Sequence, residues 1–80
     1  MPPTETLPAN GTRIRELRRL RAWTLDHLAK RAEITTPYLS RIERGQRPKA
    51  SERVLIRIAR ELGVATDEIV AHETSEEGAA

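Results

Sequence analysis

The sequence predicts a compact all-α domain built from five helices. In the first four predicted helices, apolar residues recur at the three- and four-residue spacing of an amphipathic helix, as Leu25, Leu28, Ala29 and Ala32 do. Residues that begin and end helices stand between these segments. The chain has 80 residues and no cysteine, so a single domain must be stabilised by helix packing or by a partner subunit.

The bounds of the five helices are predicted from their caps and their apolar positions. Helices 3 and 4 are followed by Gly45 and Gly63, and glycine readily adopts the left-handed conformation after a helix. Side-chain oxygens that can cap helices 2 to 5 belong to Thr24, Thr35, Ser51 and Thr66. The predicted helices cover about residues 12–21, 25–32, 36–44, 52–62 and 66–70.

The two ends of the chain differ in composition from the part between them. Residues 1–10 contain three prolines and few apolar residues, which predicts a flexible N-terminal arm. Residues 72–80 form an acidic, small-residue segment, predicted to be a flexible tail, and residues 11–71 remain as the folded domain. The sequence has neither a run of about 18 apolar residues nor a signal-peptide pattern. No membrane contact is therefore expected, and the predicted location is the cytoplasm.

The net charge of +2 conceals an uneven distribution along the chain. All 14 Lys and Arg residues lie between Arg13 and Arg60, whereas residues 11–66 contain six acidic residues. This central part therefore has a surplus of eight positive charges. A basic folded body indicates a polyanionic partner such as nucleic acid. The alternative is that the twelve arginines form an ordinary solvated surface.

Four short stretches follow one another in a recognisable order. They are IRELRR at 14–19, DHLAKRA at 26–32, SRIERG at 40–45 and IARELGV at 58–64. With this order and spacing, the chain resembles the lambda-repressor/Cro-like, XRE-type helix-turn-helix family of bacterial and phage regulators over roughly residues 11–70. The resemblance implies a five-helix lambda-repressor-like domain in which helices 2 and 3 form the helix-turn-helix.

The resemblance also implies that helix 3 enters the major groove of double-stranded DNA with its outer face. Arg41 would then contact a base, most simply guanine, because its guanidinium can donate two hydrogen bonds to O6 and N7. Hydroxyl and apolar contacts to bases would come from Thr36, Pro37 and Ser40.

Contacts to the phosphate backbone would hold helix 3 in register on the duplex. The family often has a glutamine that touches phosphate at the position of Leu25, so Thr24 alone is left to make that contact. Tyr38 lies between the two faces of helix 3, where its hydroxyl can reach a phosphate or its ring can simply cover the core edge. The expected phosphate contacts are Thr24, Tyr38, Arg44, Gln46, Arg47 and Lys49.

Glu43 is an acidic residue on the helix that is expected to approach DNA. In the family, a glutamate at this position pairs with an arginine at the position of Arg18. The resemblance thus implies a structural ion pair, the alternative being two unrelated solvated charges.

Trp23 is expected to fill the joint between helices 1 and 2, with base stacking as the alternative. Glu33 stands where the family favours glycine, and a positive φ there would cost about 1–2 kcal/mol.

The function implied by the resemblance is a sequence-specific transcriptional regulator. It would act as a repressor that binds a palindromic operator as a homodimer, with half-sites about 10 base pairs apart. The alternative is an antitoxin or a protein-interaction adaptor with the same fold, whose partner is a toxin or another regulator. The expected dimer contacts are Val54, Ile56 and Val64.

The sequence contains no set of residues that indicates catalysis. It has no Ser/His/Asp or Cys/His combination and no glycine-rich phosphate loop. His27 and His72 have no further ligand at metal-binding spacing. We therefore expect no enzymatic activity, no catalytic residue, no metal and no cofactor.

Overall fold

The computed structural model describes residues 5–71, and this range contains four α-helices and a two-stranded sheet. The first four predicted helices are present to within one residue at each end. The last nine residues, predicted to be a tail, and the first four residues of the predicted arm lie outside the described range. In chain order the elements are β1 (Thr6–Pro8), α1 (Gly11–Leu20), α2 (Leu25–Arg31), α3 (Thr36–Glu43), β2 (Lys49–Ser51) and α4 (Glu52–Leu62).

The predicted fifth helix is instead one turn of 3-10 helix, Thr66–Ile69. Ala65 takes the capping position, and no side chain caps the turn, so the predicted cap by the Thr66 hydroxyl is not formed. The turn cannot continue as a helix because Val70 is extended, with φ −99° and ψ 134°, and pairs with Ala9 in an isolated β-bridge.

The all-α prediction did not include a small antiparallel sheet, which pairs the start of the domain with the segment just before α4. Leu7 of β1 lies opposite Ala50 of β2. Ala50 is 1% exposed and Leu7 packs against the core, so apolar burial holds the strands together. Residues 5–10 therefore differ from the predicted flexible arm, and the predicted loop over 45–50 ends in a strand.

One hydrophobic core lies between the helices. Trp23 is half-buried and packs against this core at the joint between α1 and α2, where it was predicted to lie. The ring of His27 meets Trp23 edge-on, with 4.8 Å between ring centroids. None of the helices in the described range is long and apolar enough to span a bilayer. The largest fully buried side chains are Ile14, Leu28, Leu39, Ile42, Leu55, Ile58, Leu62 and Ile69.

The N-terminus of α1 lies directly against the C-terminal end of α3. Gly11 is buried there, and a Cβ atom on it would lie 2.8 Å from the Glu43 carbonyl oxygen and closer still to that of Ile42. Asn10 caps α1 by accepting a hydrogen bond from the Arg13 amide at 3.0 Å. The missing side chain at residue 11 thus permits the close approach that fixes α3 against α1.

Candidate nucleic-acid interface

One face of α3 projects away from the core and carries polar and basic side chains. At 100° per residue, its members span an arc of roughly 140° around the helix axis. Pro37 and Arg41 are exposed, and Thr36 and Ser40 are half-exposed. Arg44, the C-cap residue, continues this face and is also exposed. The structure therefore brings all four predicted base-contacting residues together on one surface, which we call the α3 outer face.

Residues at and near the two ends of α3 determine where the helix begins and ends. Thr35 caps the helix, accepting a hydrogen bond from the Tyr38 amide at 3.3 Å, and Pro37 occupies the first turn, where its missing N–H costs no helix bond. The turn before α3 contains Glu33 with φ 61°, so Glu33 has the positive φ that the family's glycine would adopt more easily. Ile34 packs against the core immediately afterwards. Gly45, with φ 78°, then turns the chain away from the end of α3.

The inner edge of α3 is tied to α1 by Arg18 and Glu43. The Arg18 Nε donates to Glu43 Oε2 at 2.8 Å, and its Nη2 donates to Glu43 Oε1 at 3.0 Å. A third bond runs from Arg18 Nη1 to the carbonyl oxygen of Trp23 at 2.8 Å. The Glu43 side chain is 3% exposed, so its charge is neutralised within the fold rather than presented to a ligand.

The residue before α2, Thr24, is one of those predicted to contact phosphate. The Thr24 hydroxyl oxygen accepts a hydrogen bond from the His27 amide at 3.0 Å, and the side chain is exposed. Because a hydroxyl can accept and donate at once, its hydrogen remains available to a phosphate oxygen. Leu25, which replaces the usual glutamine, is half-buried against the core instead.

The segment after α3 folds back over the end of that helix. The amides of Gln46 and Arg47 both donate to the Arg41 carbonyl oxygen, at 2.9 and 3.1 Å. This return places the Arg47 guanidinium carbon 5.1 Å from the centroid of the Tyr38 ring, in cation–π geometry. Lys49 belongs to β2 and is exposed. Tyr38 is half-buried and packs against the core, so its ring covers the core edge.

Sequence reasoning missed two residues that border the α3 outer face. The Thr36 hydroxyl donates to Asp26 Oδ1 at 3.0 Å, which places an acidic residue of α2 beside the start of α3. Arg15 of α1 lines a cleft together with Ser40 and Arg44. Neither contact has a signal in the sequence, because each depends on how two helices cross.

Two of the three predicted dimer residues, Val54 and Ile56, lie on different sides of α4. Residues two positions apart in a helix are separated by about 200° around its axis, so Val54 and Ile56 lie on opposite sides of α4. Val54 and Val64 are half-buried and pack against the core, whereas Ile56 is 38% exposed. The edge with Val54 also carries Arg57, which contacts Glu33 next to α2.

In the part of the chain that the structure describes, no group of three or more His, Cys, Asp and Glu side chains could hold a metal ion.

A family model described as a helix-turn-helix domain matches residues 11–72, which is most of the chain. The match spans α1, the two helices of the helix-turn-helix and α4. The chain therefore belongs to the XRE-type helix-turn-helix family, and it is a DNA-binding regulator of that type. No curated protein matches the chain.

Solved structures of regulators are similar to this chain. One is the master regulator for biofilm formation SinR, from Bacillus subtilis, in complex with DNA. It is 32% identical, with a TM-score of 0.69 and coverage of 71% of this chain and 90% of the other. In the complex of SinR protein with SinI protein the identity is again 32%, but the match spans only 55% of the other chain. The restriction-modification controller protein C.AhdI from Aeromonas hydrophila is 31% identical, with a TM-score of 0.68 and coverage of 72% and 86%.

Proposed function

We propose that this protein is a transcriptional repressor that binds a palindromic operator as a homodimer, in the bacterial cytoplasm. The observation that carries the proposal is the α3 outer face. It is exposed, it is polar and basic, and the acidic residue of the same helix, Glu43, is sequestered by Arg18. A helix with these properties can enter the major groove without a free carboxylate of its own opposing the phosphates.

Base recognition is assigned to the α3 outer face. Arg41 is exposed in the last turn of α3, and its side chain is long enough for a two-bond contact with guanine O6 and N7. Thr36, Pro37 and Ser40 lie on the same face and would add hydroxyl and apolar contacts, for example with a thymine methyl group.

Phosphate contacts are assigned to residues on either side of that face. Thr24 lies at the start of α2 with a hydroxyl hydrogen available to donate. The Tyr38 ring orients the Arg47 side chain. The conformational entropy that Arg47 loses on binding DNA is therefore smaller. These contacts set the register of α3 and carry no base preference of their own. The full proposed set is Thr24, Tyr38, Arg44, Gln46, Arg47 and Lys49.

Dimerisation is proposed to use the surface of α4 around Ile56. Two subunits related by a twofold axis can place their α3 helices in successive major grooves, about 10 base pairs apart. Of the three residues expected at this contact, Ile56 keeps the most uncovered apolar surface, because Val54 and Val64 already pack against the core.

In vitro selection from a random duplex pool tests the proposal. The expected result is a palindromic consensus whose half-sites are about 10 base pairs apart. Titrations on the selected duplex should also show a steep salt dependence, with a slope of roughly −0.9 for each phosphate contact in a plot of log affinity against log salt. Absence of any enriched sequence at about 50 mM salt, a condition in which phosphate contacts are strong, would exclude sequence-specific binding.

A second candidate function is protein binding on the same fold, as an antitoxin or an adaptor. The similarity to SinR in its complex with SinI supports it. Leu20, at the end of α1, is 77% exposed and forms an apolar surface with the side-chain stems of Arg13, Glu16 and Arg19. Co-purification with the product of a neighbouring gene, abolished by Leu20→Glu, would favour this function.

A further inference from the structure

Asp26 and Thr36 form a contact that the proposed function does not use. The oxygen Oγ1 of Thr36 lies 3.0 Å from Oδ1 of Asp26. The other oxygen of the same carboxylate, Oδ2, lies 3.5 Å from the Lys30 ammonium nitrogen, one turn further along α2. Each carboxylate oxygen therefore has a partner of its own, and Lys30 offsets the negative charge beside the α3 outer face.

The direction of this hydrogen bond follows from its two partners. A carboxylate has no hydrogen to donate, so the hydrogen between the two oxygens belongs to Thr36. A threonine hydroxyl has only one hydrogen and two lone pairs. With that hydrogen committed to Asp26, Thr36 can accept a hydrogen bond from a base but cannot donate one.

We propose that Asp26 is a specificity-determining residue that makes Thr36 select an amino base, adenine or cytosine, on the strand it approaches. In the major groove, adenine N6 and cytosine N4 donate hydrogen bonds, whereas guanine O6 and thymine O4 only accept them. A Thr36 that can only accept would form a hydrogen bond with adenine or cytosine. With guanine or thymine it would place two acceptors against each other. Asp26 acts through Thr36 and is a positioning residue, since it contacts no base in this arrangement.

The inference rests on the proposed function, because it requires α3 to lie in the major groove. It goes further by stating the class of base at one operator position. Thr24 provides an internal contrast: its oxygen accepts a backbone amide, which leaves its hydrogen available and suits a phosphate oxygen. Thr24 and Thr36 thus have opposite hydrogen-bonding roles.

The test compares selections from a random duplex pool by the full-length protein and by four variants. Thr36→Val removes the hydroxyl at nearly constant shape, and the operator position whose preference it abolishes is the position that Thr36 faces. The wild-type protein and Thr36→Ser should enrich adenine or cytosine there. Asp26→Ala should lower the preference for amino over keto bases at that position by about fivefold to tenfold, the lower part of the usual cost of one mismatched pair. Preferences at other positions should not change.

The matched control is Glu16→Ala, which removes the same charge from an exposed residue of α1 that contacts Arg13 instead of α3. Both acid-to-alanine variants should bind all duplexes more tightly, since each removes a repulsive charge, but only Asp26→Ala should alter base preference. Circular dichroism melts of the variants should match the wild type within a few degrees, because Asp26 and Thr36 lie at the surface.

Three results would overturn the inference, and they differ from a failure of the proposed function. A keto base at the position that Thr36→Val identifies, an unchanged preference in Asp26→Ala, or no position sensitive to Thr36→Val would each reject it while sequence-specific binding stands. If the wild-type protein enriches no sequence at all, the proposed function fails and this inference fails with it.

Discussion

Arg18 and Glu43 are 25 positions apart in the sequence, yet their side chains meet in two parallel hydrogen bonds that join α1 to the last turn of α3. The pair has two effects on the candidate interface. It removes the one negative charge that α3 carries, and it fixes the end of α3 against the helix that Gly11 already holds close. Electrostatics and positioning at this surface therefore depend on the same contact.

Removal of either partner should destabilise the fold. Arg18→Ala or Glu43→Ala leaves an uncompensated charge in a site where the side chains are 13% and 3% exposed, so we expect a loss of about 3–5 kcal/mol. Chemical denaturation of both single variants and the double variant measures the loss. The double variant should lose much less than the sum of the single losses, and additive losses would mean that the two residues are not coupled.

Arg31 and Glu61 provide the control for this pair. Their contact is also short, 2.8 Å, but the side chains are 49% and 25% exposed. Solvent screens such a pair, and Glu61→Ala, which removes only the ion pair, should cost less than about 1 kcal/mol.

Gly11→Ala should destabilise the protein although alanine is the better helix former. The added Cβ would overlap two carbonyl oxygens of α3, so α1 and α3 must move apart, at a cost of about 1–3 kcal/mol. Thermal melts compare this variant with Thr12→Ala, the next residue, which is exposed and should be neutral or slightly stabilising. A Gly11→Ala protein as stable as the wild type would contradict the close packing of these two helices.

Arg41→Ala and Arg47→Ala should weaken DNA binding in different ways. Loss of a base contact at Arg41 should cost about 1–3 kcal/mol on the selected operator and relax preference at one base position. Loss of a phosphate contact at Arg47 should weaken all duplexes alike and reduce the salt slope by about one unit. Titrations at two salt concentrations on operator and random DNA separate these outcomes. If Arg47→Ala alters base preference and Arg41→Ala does not, α3 docks in another orientation.

Tyr38 should act on DNA binding through both its ring and its hydroxyl. Tyr38→Leu removes the ring from under Arg47, and binding of every duplex should weaken by about 0.5–1 kcal/mol, the value of an exposed cation–π contact. Tyr38→Leu also removes the hydroxyl, and the loss of its proposed hydrogen bond to phosphate should weaken binding further. Tyr38→Phe keeps the ring and removes only the hydroxyl. Fluorescence anisotropy titrations of both variants are the measurement, and equal affinity of Tyr38→Phe and the wild type would limit Tyr38 to positioning Arg47.

Ile56→Glu should shift the proposed dimer toward monomer. The substitution places a charge on the exposed apolar side chain of α4 without entering the core, so the stability of the monomer should change little. Sedimentation equilibrium with and without operator DNA measures the association. Glu52→Gln, on the first turn of α4, is the surface control. A monomeric wild-type protein on a single half-site would reject the dimer proposal.

Periodicity and capping residues were sufficient to predict four helices, because each depends on residues close in sequence. The 3-10 turn could not be distinguished from a helix, since Thr66–Ile69 is too short to show a period and its end is set by the pairing of Val70 with Ala9. The strands were missed for a similar reason: three residues such as Thr6–Pro8 show no alternation, and their partner lies far along the chain.

The candidate site shows the same division between local and long-range information. The members of the α3 outer face follow from helical spacing alone once Leu39 and Ile42 are taken as buried. The hydrogen bond between Thr36 and Asp26 and the stacking of Arg47 on Tyr38 depend on the crossing of α2 with α3 and on the return of the loop after Gly45. No pattern in the sequence encodes either arrangement.

The pairing of β1 with β2 and of Ala9 with Val70 has a consequence for the order of folding. Both sets of contacts join residues more than 40 positions apart, whereas the contacts within the helix-turn-helix are local. Closing such long loops costs conformational entropy that is recovered only when the final bonds form. We therefore expect the helices to assemble first and the sheet to close the domain last.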